Sequence, residues 1–169
     1  KAGSTEISNI DKFPFATDTN ASEAGELTAG KYDSSSQSSD THGYSAGGFS
    51  NPPAVIYDVI EKFPFASDTS GTDVGELICC KERAAGQSSA DNGYSSGGNL
   101  STTDNNRIEK FPFSTDNPAA DIGDLTRASR SHQGQSSSIS GYTTGGYARG
   151  SFAHINTIDK FSFATDANA

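Results

Sequence analysis

The chain has 169 residues, enough for one domain of ordinary size, with a hydrophobic share of 32% and neither Trp nor Met. Its 12 basic residues stand against 21 acidic ones, a net charge of −9. The surface therefore offers no basic stripe to nucleic acid or to an anionic bilayer, and no stretch is apolar for long enough to span a membrane. Low hydrophobicity with net charge is also a mark of disordered chains, but the few apolar residues here recur in register, which argues against disorder.

Residues 1–9 form an N-terminal segment with neither an initiator Met nor a signal-peptide pattern, as expected of a processed product or of a piece of something longer. From residue 10 the chain writes one phrase four times: IDKFPFATD at 10–18, IEKFPFASD at 60–68, IEKFPFSTD at 108–116 and IDKFSFATD at 158–166. Phe13, Phe63, Phe111 and Phe161 are spaced by 50, 48 and 50 residues. The chain thus divides into repeats 10–59, 60–107 and 108–157 and a partial fourth, 158–169.

Each repeat opens on a strand. Phe13 and Phe15 alternate with other residues and so point to one side, as do Phe63 with Phe65, Phe111 with Phe113, and Phe161 with Phe163. Pro14, Pro64 and Pro112 cannot donate a ladder hydrogen bond, which predicts an edge strand or a proline at a strand end or bulge. A run of Asp, Asn, Ser, Thr and Gly follows, which is turn chemistry. Next come GEL at 25–27, GEL at 75–77 and GDL at 123–125, each a brief strand carrying Leu27, Leu77 or Leu125. QSS at 37–39, 87–89 and 135–137 leads into GYSAGG at 43–48, GYSSGG at 93–98 and GYTTGG at 141–146, with Tyr44, Tyr94 and Tyr142 as buried-type aromatics. From the first Phe to the first Gly of the doublet the distance is 34 residues in every repeat. Length variation is confined to the segment after Gly-Gly, where a surface loop is expected. No segment holds a helical period without Gly interrupting it, so the fold class is all-β, with three or four short strands per repeat.

On these residues the repeat resembles a divergent kelch repeat. The doublet in GYSAGG is similar to the kelch Gly-Gly that closes the second strand of a blade, IEKFPF stands where the third strand would lie, and the GEL leucine with a following basic residue (Lys31, Lys81, Arg130) stands near the fourth. The wording is also similar to that of virion-associated repeat proteins of bacteriophages and aquatic microbes. The usual Trp is missing, and the run before Gly-Gly is Ser-rich rather than aliphatic. The resemblance implies kelch-like propeller blades and a non-enzymatic structural or adhesive protein of an extracellular or virion-surface assembly. The alternative it implies is a propeller module that binds a glycan or a surface protein through its loops.

Small residues on inner strands let backbones approach, while the Phe pairs and the leucines fill the wedge between blades. Each aromatic buries about 150–250 Å², so a pair contributes several kcal/mol before entropy is subtracted. One repeat cannot bury that face alone. Three Gly-Gly landmarks against four Phe strands are too few for an ordinary closed propeller. Chains are therefore expected to meet head to tail as a homo-oligomer or filament, with residues 158–169 closing or extending a neighbour, unless the repeats continue in a longer chain.

No catalytic constellation stands out. His42, His132 and His154 occupy different repeat phases and read as surface histidines. Cys79 and Cys80 are adjacent, with no further cysteine to complete a metal site, and read as small side chains in a strand. Asp18, Asp68 and Asp116 recur at one phase and are the candidates for Ca²⁺, although Asp after a strand more often caps its own turn. The pairs Asp11-Lys12, Glu61-Lys62, Glu109-Lys110 and Asp159-Lys160 read as solvated edge charges, with pairing between blades as the alternative. Asn20 and Asn99 match the N-glycosylation pattern.

Overall fold

A computed structural model describes residues 6–169, so the N-terminal segment 1–9 is seen only from residue 6. The fold is all-β, with 46% of residues in strands and 2% in helix, arranged as several small antiparallel sheets of which none is closed. The first sheet pairs β1 (Asn9–Lys12) with β2 (Ser22–Glu26). The second contains β3 (Ser35–Ser38) and β4 (His42–Ala46), then a short hairpin of β5 (Phe49–Ser50) and β6 (Val55–Ile56), then β7 (Val59–Pro64) and β8 (Thr72–Glu76). Its order is β3-β4-β7-β8. The third sheet repeats that plan with β9 (Ala85–Ser88), β10 (Asn92–Ser96), β11 (Arg107–Pro112) and β12 (Ala120–Asp124). The fourth has β13 (Gln133–Ser136) and β14 (Ser140–Thr144), a hairpin of β15 (Tyr147–Ala148) and β16 (Ala153–His154) joined by a 3₁₀ turn at Arg149–Ser151, and β17 (Ile158–Ser162). Its order is β13-β14-β17. Each four-stranded sheet therefore takes its first two strands from one sequence repeat and its last two from the next.

The strand order explains the landmarks. β4, β10 and β14 each end at a Gly doublet, and both glycines take positive φ: 68° and 113° at Gly47-Gly48, 66° and 106° at Gly97-Gly98, 63° and 116° at Gly145-Gly146. A side chain is strained there, and a Cβ on Gly47 would also run into the Lys81 carbonyl. In its second and third copies the KFPF strand is not an edge: β7 lies between β4 and β8, and Pro64 is its last residue, while β1 and β17 are edge strands. Pro112 ends β11 in the same way, so the proline costs the ladder nothing. Opposite Ile60 and Glu61 the ladder skips Val74 of β8, and opposite Ile108 and Glu109 it skips Ile122 of β12, so the bulge and its bend belong to the partner strand. Between Gly-Gly and the next strand the expected loop holds the β5–β6 and β15–β16 hairpins in the long versions. In the short one a single bridge, Asn99 to Asp104, takes their place.

Across the β4–β7 pair Gly43 stands opposite Phe63, and a Cβ on it would strike that ring. Gly93 with Phe111 and Gly141 with Phe161 repeat the arrangement. The glycine before each tyrosine is thus a seat for the aromatic of the neighbouring strand. Two apolar clusters form the core, one between the second and third sheets (Tyr44, Ala46, Ile60, Leu77, Phe111) and one between the third and fourth (Tyr94, Ile108, Ile122, Leu125, Phe161). The Tyr94 hydroxyl is buried without a hydrogen-bond partner in the protein. Tyr94→Phe is expected to be neutral or to stabilise by up to about 1 kcal/mol, whereas Phe161→Ala should cost about 3–5 kcal/mol, both read from urea unfolding midpoints.

Candidate functional site

The feature that recurs through the molecule is the contact between successive sheets. The innermost strands β3, β9 and β13 lie side by side. A Cβ on Gly86 would collide with the Ser36 backbone, and one on Gly134 with the Gly86 backbone. Small residues are needed there because main chain packs on main chain. The Ser38 N–H donates to Ser88 Oγ at 2.9 Å, and the Ser88 N–H to Ser136 Oγ at 2.9 Å. Gln37 Nε2 donates to the Tyr94 carbonyl at 2.8 Å, and Gln87 Nε2 to the Tyr142 carbonyl at 3.0 Å. In the first two QSS motifs the Gln and the first Ser therefore hold the next sheet, while the second Ser, Ser39 or Ser89, closes its own turn.

One strand farther out, Tyr44 stacks on Phe113, with ring centroids 4.7 Å apart and planes at 22°, and leans on Phe111 at 5.7 Å. Tyr94 repeats this on Phe163, at 4.7 Å and 19°, and on Phe161 at 5.5 Å. Of the residues expected to pack, Phe111, Phe161, Leu77, Leu125, Tyr44 and Tyr94 are buried in these interfaces. Phe63, Phe113 and Phe163 are half-buried, as are Leu27 and Tyr142, while Phe65 is exposed. Phe13 and Phe15 are 60% and 97% exposed. They line, together with Ile10, Phe63 and Phe65, an apolar cleft of about 370 Å³ between the first and second sheets.

The adjacent charges are not solvated edge pairs. Alternation along the strand sends the acidic residue and the lysine to opposite sides, and among the described residues all but Asp11 and Lys160 find a partner in another sheet or connecting loop. Lys12 pairs with Asp68, Lys62 with Asp116 at 2.6 Å, and Lys110 with Asp166 at 2.7 Å. Asp68 and Asp116, read as Ca²⁺ candidates, are thus engaged by lysines, while Asp18 is exposed. Among the described residues no group of three or more His, Cys, Asp and Glu is placed to hold a metal ion.

Glu61, Glu109 and Asp159 are buried, while Asp11 is exposed. Glu61 pairs with Lys31 at 2.5 Å and also accepts the Thr28 N–H at 2.5 Å. Glu109 pairs with Lys81 at 3.1 Å and accepts the Ile78 N–H at 2.9 Å. Burial raises the Glu61 carboxyl, but Lys31 and the Thr28 donors outweigh it, and its pKa ends below the ordinary value. Burial draws the Lys81 ammonium down against the opposing pull of Glu109. The third position of the series is Ser129, not Arg130; Arg130 instead reaches Asp104 at 3.5 Å and lies over the Tyr147 ring. Asp159, at the Glu61 phase, accepts the Thr126 hydroxyl at 2.7 Å.

His132 is buried, a correction to its reading as a surface residue. Its Nε2 lies 2.8 Å from Ser129 Oγ, and the ring is wedged between Gly97 and Gly146. His42 is half-buried beside Thr41 and His154 is exposed. Cys79 and Cys80 lie in a bend after β8, not in a strand, and both are free. Burial and the neighbouring Glu109 push the Cys79 thiol up, away from nucleophilic character. Asn99, one of the two glycosylation matches, is buried and hydrogen-bonded to Glu82.

Sequence reasoning did not find the αL residues Asp33, Arg83 and Ser131, at φ 59°, 58° and 59°. The Arg83 N–H donates to the Asp33 carbonyl at 2.7 Å, and the Ser131 N–H to the Arg83 carbonyl at 2.9 Å, so these three strained positions form a backbone seam across the sheets. A polar cleft of about 420 Å³ runs along it, lined by Asp33, Ser35, Arg83, Ser131, His132 and Gln133 among others. No family model matches the chain, and no curated protein matches its sequence.

Two outcomes are expected from this geometry. Lys81→Met leaves Glu109 buried without its cation and should cost about 3–5 kcal/mol, and adding Glu109→Gln, which keeps an acceptor for Ile78, should recover part of that loss in urea unfolding. His132 has its pKa lowered by burial from 6.5 to about 4, against the opposing pull of Asp159 and Asp104. Between those values the unfolded chain takes up the proton and the folded one does not. Stability is therefore whole above pH 6.5 and falls by up to about 3 kcal/mol as pH drops towards 4. In His132→Gln the loss of stability between pH 7 and pH 5 should shrink correspondingly.

Proposed function

We propose that the chain is a non-enzymatic structural repeat protein of an extracellular or virion-surface assembly, whose sheets are kelch-like blades joined by packing of sheet on sheet. The observation that carries this reading is that the second, third and fourth sheets meet through one contact set: glutamine to carbonyl, tyrosine on a phenylalanine pair, lysine to aspartate. A chain that spends its aromatic and charged residues on a repeating interface is built to extend or brace a stack. The kelch-like part rests on strand order, with Gly-Gly after the second strand, the KFPF strand third and the GE strand fourth. Surface placement rests on the acidic composition and on the resemblance to virion-associated repeat proteins.

A second reading, recognition of a glycan or a surface protein through the loops, is favoured by the polar cleft along Asp33, Arg83 and Ser131. Electron micrographs of the native material decide between the two. Filaments or particle-bound spikes are expected, while isolated small discs would overturn the structural reading. Binding on a glycan array that is lost in Arg83→Ala would establish the second.

A further inference from the structure

Successive sheets are offset by one strand, and the offset determines what the far side of the fourth sheet can accept. Tyr44, on the second strand of its sheet, lies over the phenylalanine pair at the third strand of the next. Lys62, on the third strand, reaches Asp116 in the turn leading to the fourth strand of the next. The fourth sheet presents the same two groups, Tyr142 on β14 and Lys160 on β17, directly opposite each other in the ladder. To be covered they need only a third strand with its Phe pair and the turn after it; the two inner strands of a sheet are not required.

The first sheet consists of those parts. β1 runs into Phe13 and Phe15, the turn after it holds Asp18, and β2 follows. Phe13 is 60% exposed, whereas its counterparts Phe111 and Phe161 are each 1% exposed beneath a tyrosine, and Phe15 is 97% exposed, whereas its counterparts Phe113 and Phe163 are half-buried under the same tyrosines. Among the described residues three of the four lysines in the series have their aspartate: Lys12 with Asp68, Lys62 with Asp116 and Lys110 with Asp166. The lysine left over is Lys160, and the aspartate left over is Asp18. Lys160 Nζ lies 5.9 Å from the centroid of its own Tyr142 ring, so cation and aromatic are already held together on one face.

We infer that the outer face of the fourth sheet binds the first sheet of a second copy of this chain, with Tyr142 stacked on the partner's Phe13 and Phe15 and Lys160 paired with the partner's Asp18. The inference rests on the structural reading above and supplies its contact. The two faces differ, so the contact is heterologous and runs on in a line unless a rotation closes it. It lacks the inner-strand hydrogen bonds that Gln37 and Gln87 make inside the chain, and is the weaker joint for that reason.

The test is sedimentation velocity of the 169-residue chain from micromolar to millimolar concentration. Species larger than the monomer should grow with concentration and recede with added salt. Lys160→Glu and Asp18→Lys each replace an attraction by a repulsion and should weaken association by about tenfold or more. The double variant, or a mixture of the two single variants, should restore it. Phe15→Ser, at a position almost fully exposed, should also weaken association while leaving the urea midpoint of the monomer unchanged. A chain that stays monomeric throughout overturns the inference. So does association indifferent to Lys160→Glu, the expected signature if β1 of one copy instead displaced β17 of another. In that last outcome the structural reading stands while this contact falls.

Discussion

Every sheet in this protein has an apolar side that only another sheet can cover. Many strand positions are Ser, Gly, Thr or Gln, which carry little hydrophobic surface, so burial is concentrated between sheets. There Ile60, Leu77, Ile108, Ile122 and Leu125 surround the one tyrosine and two phenylalanines that the second, third and fourth sheets each carry. Those residues lie on opposite faces: the tyrosine turns to the sheet that follows, the phenylalanines to the sheet that precedes. A sheet taken alone would expose both. The core is accordingly found between sheets, as two separate clusters, and not within any one of them.

The dipeptide before each Phe carries the same logic into electrostatics. In Glu61-Lys62 the glutamate reaches back to Lys31 in the connection from the preceding sheet, while the lysine reaches forward to Asp116. Alternation along a strand lets two neighbouring residues tie one sheet in both directions. The two bonds are of different kinds. The lysine–aspartate pairs lie at the rim, more than half exposed on the aspartate side, and contribute little beyond alignment. The Lys31–Glu61 and Lys81–Glu109 pairs have side chains almost wholly removed from water and are costly to break, because either partner left alone is a buried charge.

What the sequence disclosed was whatever recurs with fixed spacing. The recurrence of the Gly-Gly landmark and the alternation of the aromatics follow from 34 constant residues and need no knowledge of neighbours, whereas strand order was an expectation from the resemblance alone. The partners of the charges were not legible, because Lys62 and Asp116 lie 54 residues apart in different repeats. Asp68 and Asp116 therefore looked like a local ligand set. Counting would have helped at one point: Lys31 and Lys81 stand four residues after the leucine of GEL, and the same count in the third repeat arrives at Ser129 rather than Arg130. That one-residue difference was the available sign that the third repeat departs from the other two. The glycine before each tyrosine carried no assignment in the sequence. Its role as a seat for a ring comes from cross-strand register, which spacing within one strand does not reveal.

The departure in the third repeat shows which contact the stacking needs. Between the third and fourth sheets no lysine among the described residues meets the buried carboxylate. Asp159 is shorter than Glu61 and accepts a hydroxyl from Thr126, and the space near it holds Ser129 and a buried His132. The Tyr94–Phe163 stack is nevertheless the same within a few degrees as the Tyr44–Phe113 stack, with the same 4.7 Å separation. The glutamine-to-carbonyl bond and the rim pair Lys110–Asp166 are kept as well. A buried ion pair can thus give way to a carboxylate held by a hydroxyl without altering the spacing of the sheets. The aromatic stack admits no such exchange, because nothing else on these strands is large enough to fill the gap that the offset between sheets creates.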